Sequence, residues 1–124
     1  MSEKDLDFEI SFYERLLEKK PDFAEALIAL GDSYSKKGWY EKGLEIDKKL
    51  VRLRPDDPVI QYNLACDYSL LKSPKLALHA LEKALQLGYD DFDFMAEDPD
   101  LNFIREDKRF NELVGKYRAS DPSV

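Results

Sequence analysis

The chain of 124 residues repeats itself at a spacing of thirty-four. That period constrains the fold more than any single motif does, because a unit of such length is one supersecondary element that buries its apolar side only against a neighbour. Sliding the chain by that offset pairs Leu30 with Leu64, Gly31 with Ala65, Tyr34 with Tyr68, Leu44 with Leu78, Lys49 with Lys83 and Leu53 with Leu87. The register also runs backwards: Leu16 falls on Leu50, Lys20 on Arg54, Pro21 on Pro55 and Asp22 on Asp56. A half-repeat therefore precedes two full ones, and past Phe92 the correspondence ends.

Within each unit the apolar residues recur at helical spacing, as in Ala26, Leu27, Leu30 and Tyr34, then Leu44, Leu50 and Leu53. Each unit reads as a helical hairpin, and no strand alternation competes. The spacing predicts helices over 6–20, 23–37, 40–53, 58–71 and 74–87. Asp22 with Glu25 has the form of a capping box, while Asp57-Pro58 and Ser73-Pro74 place a capping oxygen before a proline at the first helical position. Gly38 and Lys72-Ser73 break the two hairpins.

The tail differs in kind. From Tyr89 to Asp107 it is rich in acid and interrupted by Pro99, which predicts short helices over 92–97 and 100–105. A last helix, capped by Asp107, carries Phe110, Leu113, Val114 and Tyr117 on one face and is expected to cover the exposed end of the second repeat. One domain is expected over 1–124: a half-repeat helix at 6–22, repeats at 24–57 and 58–91, short acidic helices with the capping helix at 92–118, and a disordered tail at 119–124.

Charge and composition exclude several functions. With 26 Asp plus Glu against 19 Lys plus Arg the net charge is −7, which disfavours nucleic acid as a partner, since phosphate binding relies on clustered cations. The charged first twenty residues and the lack of a long apolar run argue against a signal peptide and a membrane span. A single cysteine, Cys66, excludes an intramolecular disulfide and a cysteine metal cluster and suits a reducing compartment. A cytoplasmic protein is expected. His79, the sole histidine, is placed on an outward helix as a bystander. Trp39 is read as a packing residue beside Tyr40, and Cys66 as a small buried thiol on the inner side of its helix. The run Asp90, Asp91, Asp93, Asp98 and Asp100 lacks the glycine and terminal acid of a calcium loop and is assigned to helix capping.

The segment Leu27-x-x-Leu30-Gly31-x-x-Tyr34, followed by Gly43, Leu50 and Pro55, resembles the tetratricopeptide repeat, and Leu64, Ala65, Tyr68, Ala77, Leu81 and Ala84 form a second match. The resemblance covers roughly residues 6–91. It implies an all-α fold, a short right-handed solenoid of helical hairpins with a C-terminal capping helix. Small residues are needed where the paired helices cross, and Gly31 and Gly43 are expected to make room for Leu50. Asp47 stands where the family usually has an aromatic; either it is buried with a donor such as the Tyr62 or Tyr68 hydroxyl, or a tilt leaves it exposed.

The resemblance also implies a non-catalytic adaptor or scaffold, without cofactor or metal, that binds a peptide or helix of another protein in a concave groove. Groove positions carried over from the family are Glu25, Ile28, Asp32, Ser35 and Lys36 in the first unit, and Val59, Tyr62, Asn63, Cys66, Ser69 and Leu70 in the second. Of the clamp that grips acidic chaperone tails in one subfamily, only Asn63 has a counterpart. Ile28, Asp32, Asp93 and Glu97 replace the rest, so a neutral or basic partner is expected and an acidic tail is not. The alternative is a structural role in which Phe8, Phe12 and Tyr13 on the first helix pair two copies into a homodimer.

Overall fold

A computed structural model describes residues 2–122 of the chain. It is all-α. The helices are α1 (Glu3–Lys19), α2 (Ala24–Lys37), α3 (Tyr40–Leu53), α4 (Pro58–Leu70), α5 (Pro74–Gln86), α6 (Phe92–Glu97), α7 (Asn102–Arg105) and α8 (Lys108–Ser120), with a 3-10 turn over Pro99–Leu101 before α7. They pack as sequential hairpins in two compact units, Met1–Pro55 and Asp56–Val124. No helix among the described residues is long and apolar enough to cross a membrane.

The thirty-four-residue period is written into the backbone hydrogen bonds. Lys20 N–H donates to Leu16 and Arg54 N–H to Leu50; Leu27 donates to Phe23 and Gln61 to Asp57; Gly43 donates to Trp39 and Ala77 to Ser73. At the two hairpin turns Gly38 donates to Ser35 and Trp39 to Tyr34, and Lys72 donates to Ser69 and Ser73 to Tyr68. Gly38 and Lys72 both hold the left-handed conformation that ends each first helix, with φ of 84° and 60°.

In the first unit, Leu6 and Ile10 of α1 are buried against Leu30 and Tyr34 of α2. The Tyr34 hydroxyl donates to Glu14 at 2.5 Å, and burial together with that carboxylate holds its proton firmly. Gly31 marks the approach of α2 to α3: a Cβ there would lie 3.3 Å from Ile46 Cγ2 and 3.5 Å from Asp47 Oδ1. The space at Gly31 thus admits Ile46 and Asp47, and Leu50 is fully buried. Asp47 is only 8% exposed, which removes the exposed alternative, and the Tyr62 hydroxyl offered as its donor is committed to Asp98.

In the second unit, Ala65 on α4 and Ala77 and Ala84 on α5 are fully buried within the core that the two helices share. The tail completes the core. Phe92, Met95, Leu101, Ile104 and Phe110 are buried against α4 and α5, with Leu113, Val114 and Tyr117 packed alongside, so α8 covers this unit as expected.

Several local expectations change. Helix α1 begins three residues before position 6 because Ser2 caps it, accepting from Asp5 N–H at 3.2 Å. The capping box at Asp22 does not form: Phe23 holds the cap position without a side-chain bond, while Lys49 reaches back to Asp22 at 3.5 Å and Arg54 to Glu25 at 2.9 Å. Ser73 likewise makes no capping bond, whereas Asp57 accepts from Val59 and Ile60 N–H, and Asp107 from Arg109 N–H. Helix α8 continues through Ala119 and Ser120, the first two residues of the expected disordered tail; Ser123 and Val124 lie outside the described residues.

Candidate functional site

A hollow of about 660 Å³ opens on the second unit between the first half of α4, the loop after α5, and the corner joining α6 to the 3-10 turn. Proline at the first position of α4 and the Asp57 cap fix where that helix starts, which sets Val59, Tyr62, Asn63 and Cys66 along one side of it. Tyr62 and Cys66 turn inward and are buried, while Val59 and Asn63 stay exposed at the rim.

The opposite wall comes from the non-repeating tail. Gly88, with φ of 106°, lets the chain leave α5 sharply and brings Tyr89 onto Tyr62, their rings stacked 4.2 Å apart and parallel within 2°. Phe94 lies 6.2 Å from Tyr62 at a tilt. Beneath the rings the Tyr62 hydroxyl donates to Asp98 Oδ2 at 2.7 Å, and the Cys66 thiol stands 3.8 Å from the same oxygen. Asp98 is 5% exposed and also caps the 3-10 turn, its Oδ1 accepting from Asp100 N–H at 3.0 Å. Arg105 secures the corner from behind by donating to the carbonyls of Met95 and Asp98 at 2.9 and 2.7 Å.

Electrostatically the hollow is one-sided. Asp90, Asp91, Asp98 and Asp100 line it, and no Lys or Arg does among the described residues. Burial first, and the Asp98 charge second, raise the Asp100 carboxyl above its usual range. Tyr89 is pushed up to about 12 by burial and then by Asp91. Burial pushes the Cys66 thiol well up, with the charges of Asp98, Asp100 and Asp67 adding to it, so the sulfur stays protonated and neither attacks nor ligates readily. Cys66, Asp98 and Asp100 place one possible ligand atom each within 4.8 Å of the others. Both Asp98 oxygens already accept hydrogen bonds, however, and a metal would have to displace the thiol proton.

The other expected groove residues fall differently. In the second unit Ser69 is fully buried and Leu70 half-buried, and neither lines the hollow. On α2, Glu25, Ile28, Asp32 and Lys36 are exposed and Ser35 is half-buried. All three of these charges are already answered, Glu25 by Arg54 and Asp32 and Lys36 by each other, each pair at 2.9 Å. Asp93 meets Arg118 at 3.4 Å, which leaves it a weaker lure for a basic ligand than the sequence suggested. His79 is exposed, and Trp39, itself 41% exposed, leans on Tyr34 at 6.0 Å with Lys37 and Lys42 over its ring. The acidic run does cap: Asp91 accepts from Phe94 N–H and Asp98 from Asp100 N–H. Reading the sequence missed Tyr89, Phe94 and Asp98 as partners of Tyr62 and Asp100 as a neighbour in the same lining; the alternation of rings and acids in YDDFDF was the one visible sign.

Residues 12–45 match the tetratricopeptide repeat family, a stretch as long as one period that runs from α1 into α3. A protein of Arabidopsis thaliana whose name describes it as chloroplastic is 36% identical over 110 residues, which is 86% of this chain and 31% of that protein. The chain thus spans about a third of the length of this curated relative. The chloroplastic name overturns the expectation of a cytoplasmic protein. Charge patterning and burial report contact with water, and the aqueous compartments of a cell share that solvent, so composition could not separate them. Period, hairpins and match agree, and the chain is a tetratricopeptide-repeat protein.

Proposed function

We propose that this chain is a non-catalytic protein-protein interaction module whose second unit seats a peptide or helix of another protein in the hollow beside α4. The observation that carries this reading is an open, aromatic-walled cavity on a repeat helix, with Val59 and Phe94 exposed at its rim and Tyr62 at its floor. Four of the residues expected to face a ligand, Val59, Tyr62, Asn63 and Cys66, share it. Its carboxylates suit a neutral or basic segment and repel an acidic chaperone tail. A protonated thiol and a histidine remote from the hollow support an adaptor over an enzyme. The chloroplastic relative supports a plastid as the compartment.

The experiment is a titration of the isotopically labelled chain with a panel of neutral, basic and acidic peptides, read by amide shifts. Saturable shifts centred on Val59, Asn63, Tyr89 and Phe94 are expected. Peptides that move only residues elsewhere, or none at all, would overturn the reading.

A second reading rests on α1, where Phe8 is 66% and Phe12 47% exposed, Phe12 standing edge-on to Tyr13 at 5.3 Å. These rings suit self-association through α1. Light scattering that finds only monomer at high concentration would end that alternative.

A further inference from the structure

We propose that the occupant of this hollow is a cationic side chain, the guanidinium of an arginine or the ammonium of a lysine, entering head-first from a partner polypeptide. The proposal rests on the peptide-docking reading and names the chemistry of its central contact. Three features of the cavity converge on such a group.

The first is shape. The hollow is open at a rim formed by Val59 and Phe94, both exposed, and closes on polar groups beneath. A long methylene stem ending in a charge matches that order, apolar at the mouth and ionic at depth. A wholly apolar side chain would leave the Asp100 carboxylate facing it without a counter-charge.

The second is the ring pair. Tyr62 and Tyr89 lie parallel at 4.2 Å, so the face of each ring turned away from the stack presents the negative side of its quadrupole. Tyr89 is half-buried and lines the hollow, which gives an organic cation a planar surface to lie on. The Tyr62 hydroxyl, fastened to Asp98, fixes that surface before any ligand arrives.

The third is negative charge with no cationic partner in the described lining. Four aspartates line the cavity with no cationic residue among its described neighbours, although ion pairs answer acids elsewhere, as Arg118 answers Asp93 and Arg54 answers Glu25. Asp100, half-buried beside Asp98, has its carboxyl raised by burial and by that neighbour, as expected of acids gathered without a counter-charge. A metal ion is a poorer answer: the thiol of Cys66 holds its proton, and Asp98 is occupied by Tyr62 and by its cap.

The test uses the full chain and blocked pentapeptides, acetyl-Gly-Gly-X-Gly-Gly-amide, where X is arginine, lysine, citrulline or norleucine. The arginine and lysine peptides are expected to shift Asn63, Tyr89 and Phe94 saturably. Citrulline, which keeps the shape of arginine without its charge, should bind about fivefold or more weakly. Asp100→Asn should weaken the arginine peptide about threefold or more while leaving the unfolding midpoint in place, and added salt should weaken it further. Tyr89→Leu gives a second variant that removes the ring face and keeps apolar bulk. Citrulline binding as well as arginine does, an unaltered affinity in Asp100→Asn, or no response to either cationic peptide would overturn the proposal. If norleucine alone shifts these residues, the cation idea falls and peptide docking stands; if no peptide shifts them, both fall.

Discussion

The hydroxyl of Tyr62 and the carboxylate of Asp98, thirty-six residues apart, meet at 2.7 Å in the interior of the second unit. The bond ties a repeat helix to the corner of a tail that no longer repeats, and it sits under the cavity proposed to receive a partner. A hydrogen bond to a buried carboxylate is among the stronger ones in a protein, since losing the donor leaves charge without its partner. Tyr62→Phe should therefore lower stability by about 1.5–3 kcal/mol. Urea unfolding with an unchanged slope checks it; an unchanged midpoint would show that the bond contributes nothing.

The core of the second unit predicts a contrast within one helix. Leu81 is 0% exposed and Leu76 is 51% exposed, both on α5. Leu81→Ala opens a cavity and should cost about 2–5 kcal/mol, whereas Leu76→Ala should fall within about 0.5 kcal/mol of the parent. Chemical denaturation of the two variants side by side decides it, and equal losses would contradict the packing described.

Gly31 predicts the cost of a side chain where α2 approaches α3. A Cβ already comes to 3.3 Å from Ile46, so the further carbons of Gly31→Leu run into Ile46 and Asp47 and should cost about 1–3 kcal/mol. A thermal melt equal to the parent's would mean that the helices do not pass as closely as the structure has them.

The paired turns predict opposite responses to opposite changes. Lys72 holds φ of 60° with a Cβ, and Gly38, one period earlier, holds 84° without one. Lys72→Gly should relieve about 1 kcal/mol, and Gly38→Ala should lose a similar amount. Melting temperatures moving in the same direction for both would refute the shared turn geometry.

Asp107 predicts a pH response. The Arg109 side chain first, and its backbone N–H second, hold the carboxyl at about 2, below the ordinary 3.8. The ionised cap is thus favoured in the folded chain, so its stabilising contribution is present above 3.8 and is lost as pH falls from there through about 2. Carboxyl carbon resonances followed against pH should place Asp107 at the low end of this range, and Arg109→Ala should return it toward its ordinary value. A midpoint near the ordinary 3.8 in the parent would remove the effect.

Local chemistry in the chain accounts for most of the architecture. Helix hydrogen bonds span four residues and apolar faces recur at three and four, so a stretch of residues carries both the helix and the side it buries. The expected limits of α2 to α5 accordingly lie within one residue of those observed. The resemblance to the repeat family likewise pointed to the small positions: Gly31 stands where α2 comes close to α3, and Ala65, Ala77 and Ala84 are buried in the core of the second unit. Where a choice depended on a distant partner, local pattern failed. Asp22 looked like a cap, but Lys49 from α3 holds it. The five aspartates from Asp90 to Asp100 looked alike, yet only Asp98 is buried, because the path of the chain through Gly88 and the Arg105 corner carries it under Tyr62. Sequence spacing sets which face of a helix is apolar; which remote ring and carboxylate arrive at that face is decided by packing, through contacts that no local period encodes.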